Sequence, residues 1–405
     1  MPDDLGLVDP VSVEYWQDIH GTLAPLRERW PVVRSTAGDF EVLRHEHVEP
    51  LLRDGRLRQA LHRMLANQGI DSGPLHDWWQ VILSAVDPPV HSRIRSLIGR
   101  AFTPKQVERI RPHIRAVADA LLDEVAAGPE VTDVLDGFCN DLPLTVLCTM
   151  LGVAPEDQEV VEQWTVTVGL AFSAIVPPDL LARVERSIVE FNAYTVELIE
   201  RRRREPGDDL LSALVHAEES GDRLSMAELQ GLIINLLFAG HDTTRSTLAI
   251  ALWLLASHPD QLAILRADPS LVAVAVEEVV RYEPIISGIP RIPSEDITVA
   301  DVTIPAGSYI TLSIPSANRD PRQFADPDRF DVTRRDNRHL GFGLGFHHCV
   351  GANIARAELQ EALRVVLARC GAVEARIDAP VWVPYAGARR FESLPMHLGV
   401  AARPR

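Results

Sequence analysis

The chain has 405 residues, of which 46% are hydrophobic and 24% charged, and it carries a formal net charge of -17. Such a composition excludes a disordered chain and can bury a core large enough to enclose a cofactor. The acidic balance argues against nucleic acid and against an anionic membrane face as partners, because both call for basic surface.

No Gly/Ser-rich linker, repeat or low-complexity run divides the chain, so residues 1–405 are read as one domain. The amino terminus, Met1-Pro-Asp-Asp-Leu, has no basic segment followed by an apolar one. It predicts no leader and no anchor, and hence a cytoplasmic protein. The longest apolar region, Leu229 to Ala256, is interrupted by His241-Asp242-Thr243-Thr244-Arg245 and belongs in a core and not in a membrane.

In chain order, Pro31-Val-Val-Arg-Ser and Phe40-Glu-Val-Leu-Arg predict a hairpin closed by Ala37-Gly38-Asp39. Residues 51–80 are helical by turns, and of Trp78 and Trp79 one is read as core filling while the other is open to a role as a substrate cover. Asp87-Pro88-Pro89 opens a helix over Val90–Phe102, on which His91 and Arg95 are four apart and share a face. Taken alone, that pair is a solvated stripe. Thr103-Pro104 starts a second helix that runs to Ala127 and stops at Gly128-Pro129. Trp164 to Pro178 reads equally as a helix–loop–helix and as a mobile cover over an apolar pocket.

Ser225-Met-Ala-Glu228 is a capping box, with Leu224 and Leu229 spaced as a hydrophobic staple, and the helix it opens ends at His258-Pro259. Its middle, Ala239 to Thr244, is built from weak helix formers, which predicts a kink or groove there. Close helix packing at Gly240 is the plainer alternative. Asp268-Pro269 begins another helix, in which Glu278 and Arg281 are neighbours, and an apolar segment with Ile285, Ile286 and Ile289 follows. A hairpin is expected around Ile304-Pro-Ala-Gly307. The Pro-rich stretch Ala317-Asn-Arg-Asp-Pro321 to Phe330 then leads to the run Phe342–Gly351.

In that run Cys349 lies among Gly343, Gly345 and Gly351, with Phe342 and Phe346 as apolar walls. Downstream, Ala352 to Arg369 carries apolar residues at helical spacing (Ile354, Ala355, Leu359, Leu363, Val366 and Leu367) with a stop at Gly371, so a helix is expected to start within a residue or two of Cys349. Uncapped amides and the positive dipole end at such a start favour a thiolate. A buried structural cysteine is the bland alternative. Zinc fails, because Cys139, Cys148 and Cys370 form no CxxC or CxxH pair with another ligand.

The pattern F-G-x-G-x-H-x-C-x-G resembles the haem-binding loop of the cytochrome P450 family, and matches in the family's order extend from the hairpin near Val32 to Pro395. The resemblance implies a mainly α fold with small β-sheets, β-rich near its two ends, in a single large domain enclosing haem b. It makes Cys349 the axial iron ligand. D-P-P-x-H-x-x-x-R resembles the family's propionate-binding helix, which gives His91 and Arg95 that role, and Arg291 and His347 stand where further propionate ligands are found. His348 is expected to be solvated. Phe342, Gly343, Gly351, Ala239 and Gly240 are expected against the haem. A-G-x-D-T-T resembles the oxygen-activating motif, with Asp242 and Thr243 as the proton-delivery pair and Thr244 the lesser candidate. E-x-x-R makes Glu278 and Arg281 a buried structural ion pair.

By the same resemblance the chain is similar to soluble bacterial haem-thiolate monooxygenases, which insert one atom of O2 into a C–H bond. Their electrons come from NAD(P)H through a separate ferredoxin and reductase. A monomer is expected. Arg93, Arg100, Arg334, Arg335 and Arg338 are read as a basic patch for that partner. Leu236, Ile285, Ile286, Ile289 and Ala388 are expected to line a pocket for a small hydrophobic molecule such as a terpenoid or steroid. Arg56, Arg58 and Arg63, if they face inward, leave an aromatic acid or a polyketide open. A peroxide-driven haem enzyme and a non-enzymatic haem-binding protein are the alternative functions.

Overall fold

The computed structural model describes residues 5–99, 102–173, 176–216, 218–219, 222–384 and 387–401. Helices make up most of it, accompanied by small sheets. The chain forms two compact units. One is built from the chain up to Leu61 with Ile250–Cys349 and Ile377–Glu392; the other from His62–Ala249, Val350–Arg376 and the chain from Ser393 onward.

The first unit is organised on a six-stranded sheet in the order Leu7–Val8, Val32–Ser35, Phe40–Val42, Ile310–Ser313, Gly288–Pro293, Leu57–Gln59. The expected hairpin is present, with Val32 opposite Val42 and Arg34 opposite Phe40. Phe40 also lies beside Ile310 in a parallel pairing that joins the early and late parts of the chain. Val32, Phe40, Val42, Ile310, Leu312 and Ile314 share one buried cluster with Ile297, Val299, Val302 and Ile304. Those last four belong to a second hairpin, and its turn departs from the expectation. Val299 pairs with Val302, so the chain reverses at Ala300-Asp301, with Ala300 at φ 49°, and not at Pro305-Ala-Gly307. Gly307, at φ 77°, instead steers the chain into the 310–313 strand. Burial decides the register, because the alternate residues Ile297, Val299, Val302 and Ile304 all reach the core.

The second unit is a helical bundle. Helix Pro104–Ala127 has the expected bounds, its cap Thr103 accepting from the amide of Gln106. Helix Val90–Gly99 ends sooner than expected, and residues 100–101 lie outside the described residues. Helix Ala352–Arg369 packs on 104–127 through the buried carboxylate of Glu361, which receives Arg111 at 3.0 Å and Arg115 at 2.7 Å. Arg369 returns the contact to Asp123 at 2.6 Å. Strands Thr132–Asp133, Glu374–Ala375 and Pro395–His397 form a small sheet in this unit.

The capping box forms as expected: the Ser225 amide donates to Glu228 at 2.8 Å and the Glu228 amide to Ser225 Oγ at 3.2 Å. Leu224 and Leu229 are both buried. The helix it opens runs unbroken over Met226–Ser257, so the weak formers in its middle do not interrupt it. Trp78 and Trp79 are both buried, and Trp79 stacks on Phe172 (4.6 Å between centroids), which stacks on Phe238 (4.7 Å). Among the described residues no single helix is long and apolar enough to cross a membrane.

Candidate functional site

The cysteine loop is shaped by its glycines. Gly343 and Gly345 have φ of 64° and 69°, a region other residues enter at a cost, and a Cβ on Gly345 would come within 2.7 Å of the Leu52 carbonyl oxygen. The loop closes on itself where the Cys349 amide donates to Phe342 O at 2.9 Å. Its thiol is exposed, and Phe346 beside it is 54% exposed. The following helix runs over Ala352–Arg369, the segment expected from its apolar spacing. Its cap is Gly351, which has no side chain to bond the amides of the first turn.

The other thiols are buried. Burial pushes Cys148 up to about 12 and Cys139 higher still, whereas Cys349 is exposed. Cys349 is therefore the cysteine whose surroundings suit a metal. A Cβ at Gly351 would meet nothing within 4 Å, which leaves room beside the helix start. An exposed soft donor, an exposed aromatic side chain and a bare helix start fit the iron and the apolar face of a metalloporphyrin.

The middle of the 226–257 helix differs from the rest. Leu232 to Leu237 are buried, whereas Phe238, Ala239, Gly240, Asp242 and Thr243 keep part of their surface. This half-open strip falls on the stretch where the sequence predicts a kink or groove. Thr243 Oγ1 donates to Ala239 O at 2.6 Å, the back-bond a helical threonine makes. Asp242 accepts from Arg245 at 3.2 Å. Gly240 also has a packing reason, since a Cβ there would lie 2.9 Å from Leu147.

Thr244 points elsewhere. It is buried and hydrogen-bonded to Glu358 of the 352–369 helix, a residue the sequence reading passed over. Glu358 is 2% exposed, and burial pushes its carboxyl up to about 8, so it is protonated at neutral pH. The signal was available: Glu358 is four residues from Ile354 and four from Ala362, on the stripe that packs inward.

Of the expected propionate ligands, His91 is buried and Arg95 half-buried on the 90–99 helix. Arg291 is 4% exposed on the 288–293 strand and donates to Gln59 at 3.1 Å and to Pro290 O at 2.8 Å. His347 ends the short turn Gly345–His347 and is half-buried, as is His348. Ile285, Ile286 and Ile289 are half-buried, while Leu236 and Ala388 are buried. Arg56, Arg58 and Arg63 do not face inward. All three are exposed, and Arg56 is engaged by Asp54 at 2.6 Å.

The expected basic patch loses members. Arg100 lies outside the described residues, and Arg93 is paired with Glu228. Arg334 is drawn inward to Glu278 at 3.2 Å and to the Ala325 carbonyl at 2.7 Å, which leaves Arg335 and Arg338 exposed.

The Glu278–Arg281 pair is fully buried, with contacts of 2.7 and 2.9 Å. Arg281 also donates to Asn318 O and Pro327 O, while Glu278 accepts from the Asp331 amide and from Asn337.

Comparison with known proteins gives a consistent result. The family model described as Cytochrome P450 matches residues 158–375, more than half of the chain. The chain is 40% identical over 365 residues to mycinamicin IV hydroxylase/epoxidase of Micromonospora griseorubida, covering 87% of this chain and 90% of that one. It is 35% identical over 360 residues to vitamin D(3) 25-hydroxylase of Pseudonocardia autotrophica, covering 88% and 87%. The solved structure of cytochrome P450 CYP109Q5 from Chondromyces apiculatus superposes with a TM-score of 0.89 at 35% identity, covering 98% of this chain and 99% of that one.

Proposed function

Because the chain belongs to the cytochrome P450 family, and so is a haem- and O2-dependent monooxygenase, we propose that it hydroxylates a small hydrophobic molecule of the terpenoid or steroid type. The observation that carries the reading is the exposed Cys349 thiol in a glycine-shaped loop just ahead of an uncapped helix start. There Cys349 holds the iron as thiolate, and the first-turn amides temper the charge on sulfur. A thiolate ligand favouring O–O cleavage is a general property of this family and not an inference from this chain. When bound, haem supplies oxygen activation and insertion of one oxygen atom into a C–H bond.

The remaining work belongs to side chains. His91, Arg95, Arg291 and His347 hold the propionates as cationic or hydrogen-bonding partners. Phe342, Gly343, Gly351, Ala239 and Gly240 present small or apolar surface to the porphyrin. Asp242 and Thr243, half-open on their helix, hold and pass protons at the carboxylate and at Oγ1. Leu236, Ile285, Ile286, Ile289 and Ala388 keep the substrate dry, and their apolar side chains suit a hydrophobic molecule. Electrons come from NAD(P)H through a ferredoxin that docks on exposed arginines including Arg335 and Arg338.

Cys349→Ser is expected to lose the Soret band that ferrous-carbonyl haem shows with sulfur ligation, and persistence of that band sinks the assignment. Titration with terpenoids and steroids is expected to move the haem from low to high spin. A response to aromatic acids alone would overturn the substrate class. Thr243→Ala is expected to keep consuming NAD(P)H while product falls; unchanged product per NAD(P)H removes Thr243 from its role.

A further inference from the structure

Asp242 is one end of a polar set that reaches across three helices of the second unit. Arg245, one turn on, donates Nη2 to Asp242 Oδ1 at 3.2 Å and Nη1 to Asn140 Oδ1 at 3.3 Å. The side chains of Arg245 and Asp242 are 12% and 15% exposed, so the pair is set well into the protein. Asn140 belongs to helix Asn140–Met150 and is 4% exposed. Its amide nitrogen donates to Glu162 Oε1 at 2.7 Å, on helix Gln158–Gly169, and to Asp141 Oδ1 at 3.0 Å. Its oxygen lies 3.0 Å from Nε2 of His241, which is buried.

These contacts fix the asparagine completely. Two carboxylates on one side accept only, so the amide nitrogen must face them and the oxygen must face Arg245 and His241. His241 then carries its proton on Nε2. It is neutral, since burial and the neighbouring Arg245 push it down to about 4. Two lone pairs and two N–H groups give the amide four bonding positions, and all four are used.

We propose that Arg245 is a positioning residue for Asp242, and that Asn140, which does not touch Asp242, holds Arg245 in place. This rests on the reading of Asp242 as a proton-handling group. An exposed ion pair three residues apart would contribute only a few tenths of a kcal/mol and orient nothing. Here one guanidinium is shared between the carboxylate and a fully bonded asparagine on another helix, so its direction is set from outside the helix that bears Asp242. Neither guanidinium nor amide gives up a proton near neutral pH, so the set orients the carboxylate and does not conduct to it.

The test uses the holoenzyme with Arg245→Met, Arg245→Lys and Asn140→Ala, and with Asp242→Asn as reference. Arg245→Met is expected to lower product formed per NAD(P)H by roughly tenfold and to raise the solvent deuterium isotope effect, as a displaced catalytic group does. The spin-shift affinity for substrate should stay at the native value. Asn140→Ala should reproduce the defect, and combining it with Arg245→Met should add little, because both act on one contact. Arg245→Lys, which keeps the charge and disturbs packing least, should fall between native and Arg245→Met. A crystal structure of the Arg245→Lys or Arg245→Met enzyme should show the Asp242 carboxylate turned from its native direction. If Asp242→Asn uncouples the enzyme while the Arg245 and Asn140 variants keep native coupling and carboxylate direction, the positioning role is wrong and the reading of Asp242 stands. If Asp242→Asn itself changes nothing, that reading fails and the positioning role fails with it.

Discussion

Glu358 is a buried acid whose carboxyl is bonded to the neutral hydroxyl of Thr244. Burial pushes its carboxyl from an ordinary 4.5 up to about 8, and in the first unit Glu41 is pushed up to about 7 for the same reason. Between the ordinary and the raised values the folded protein keeps a proton that the unfolded chain releases. Stability from Glu358 is therefore full below pH 4.5 and is lost as pH rises toward 8. Glu358→Gln keeps a partner for Thr244 and cannot ionise, so its stability relative to the native protein should improve steadily from about pH 5 to pH 8.5, as read by thermal melts. An offset that stays flat with pH would show that Glu358 is not a buried neutral acid. Residues like this were only half legible in the sequence. The stripe position of Glu358 was there to see, but its partner Thr244 lies more than a hundred residues away. Likewise the contact between Arg245 and Asn140 exists only once helices pack. The cysteine loop was legible because its signals are local: glycines where φ is positive, and a helix start that composition alone marks.

At the scale of elements, the 226–257 helix was the most readable feature, because its start is written in residue types that bond each other. Ser225 and Glu228 satisfy two amides that would otherwise be orphans. Ser225→Ala should cost about 1 kcal/mol and Ser225→Asp much less, as judged from urea midpoints. Equal stability of the alanine variant would show that the box contributes nothing once Leu224 and Leu229 are buried. The hairpin 297–304 shows the opposite case. Pro305-Ala-Gly307 does turn, the Ser308 amide donating to Pro305 O at 3.2 Å, yet the two strands that pair are joined at an alanine in the left-handed region. Burial of four aliphatic residues outweighs the cost of one strained backbone angle, and no local rule reports that balance.

For the whole molecule, the acidic surface and apolar interior were predictable from composition, and the family resemblance supplied the fold. What neither made explicit is how much of the first unit hangs on one ion pair. Arg281 and Glu278 between them bind backbone or side chains of residues 318, 327, 331, 334 and 337. Glu278→Ala leaves the guanidinium buried without its counter-charge and should cost on the order of 3 kcal/mol or more, with a matching fall in the denaturant midpoint. A variant as stable as the native protein would mean that the connection 318–337 is held by its apolar contacts alone. A last consequence follows from the parallel pairing of Phe40 with Ile310. On the ribosome the hairpin at residues 32–42 emerges early, but one flank of it has no neighbour until some 270 residues more have been synthesised. An open strand edge must wait through most of translation, so newly made chains depend on rapid late closure or on a chaperone to escape aggregation.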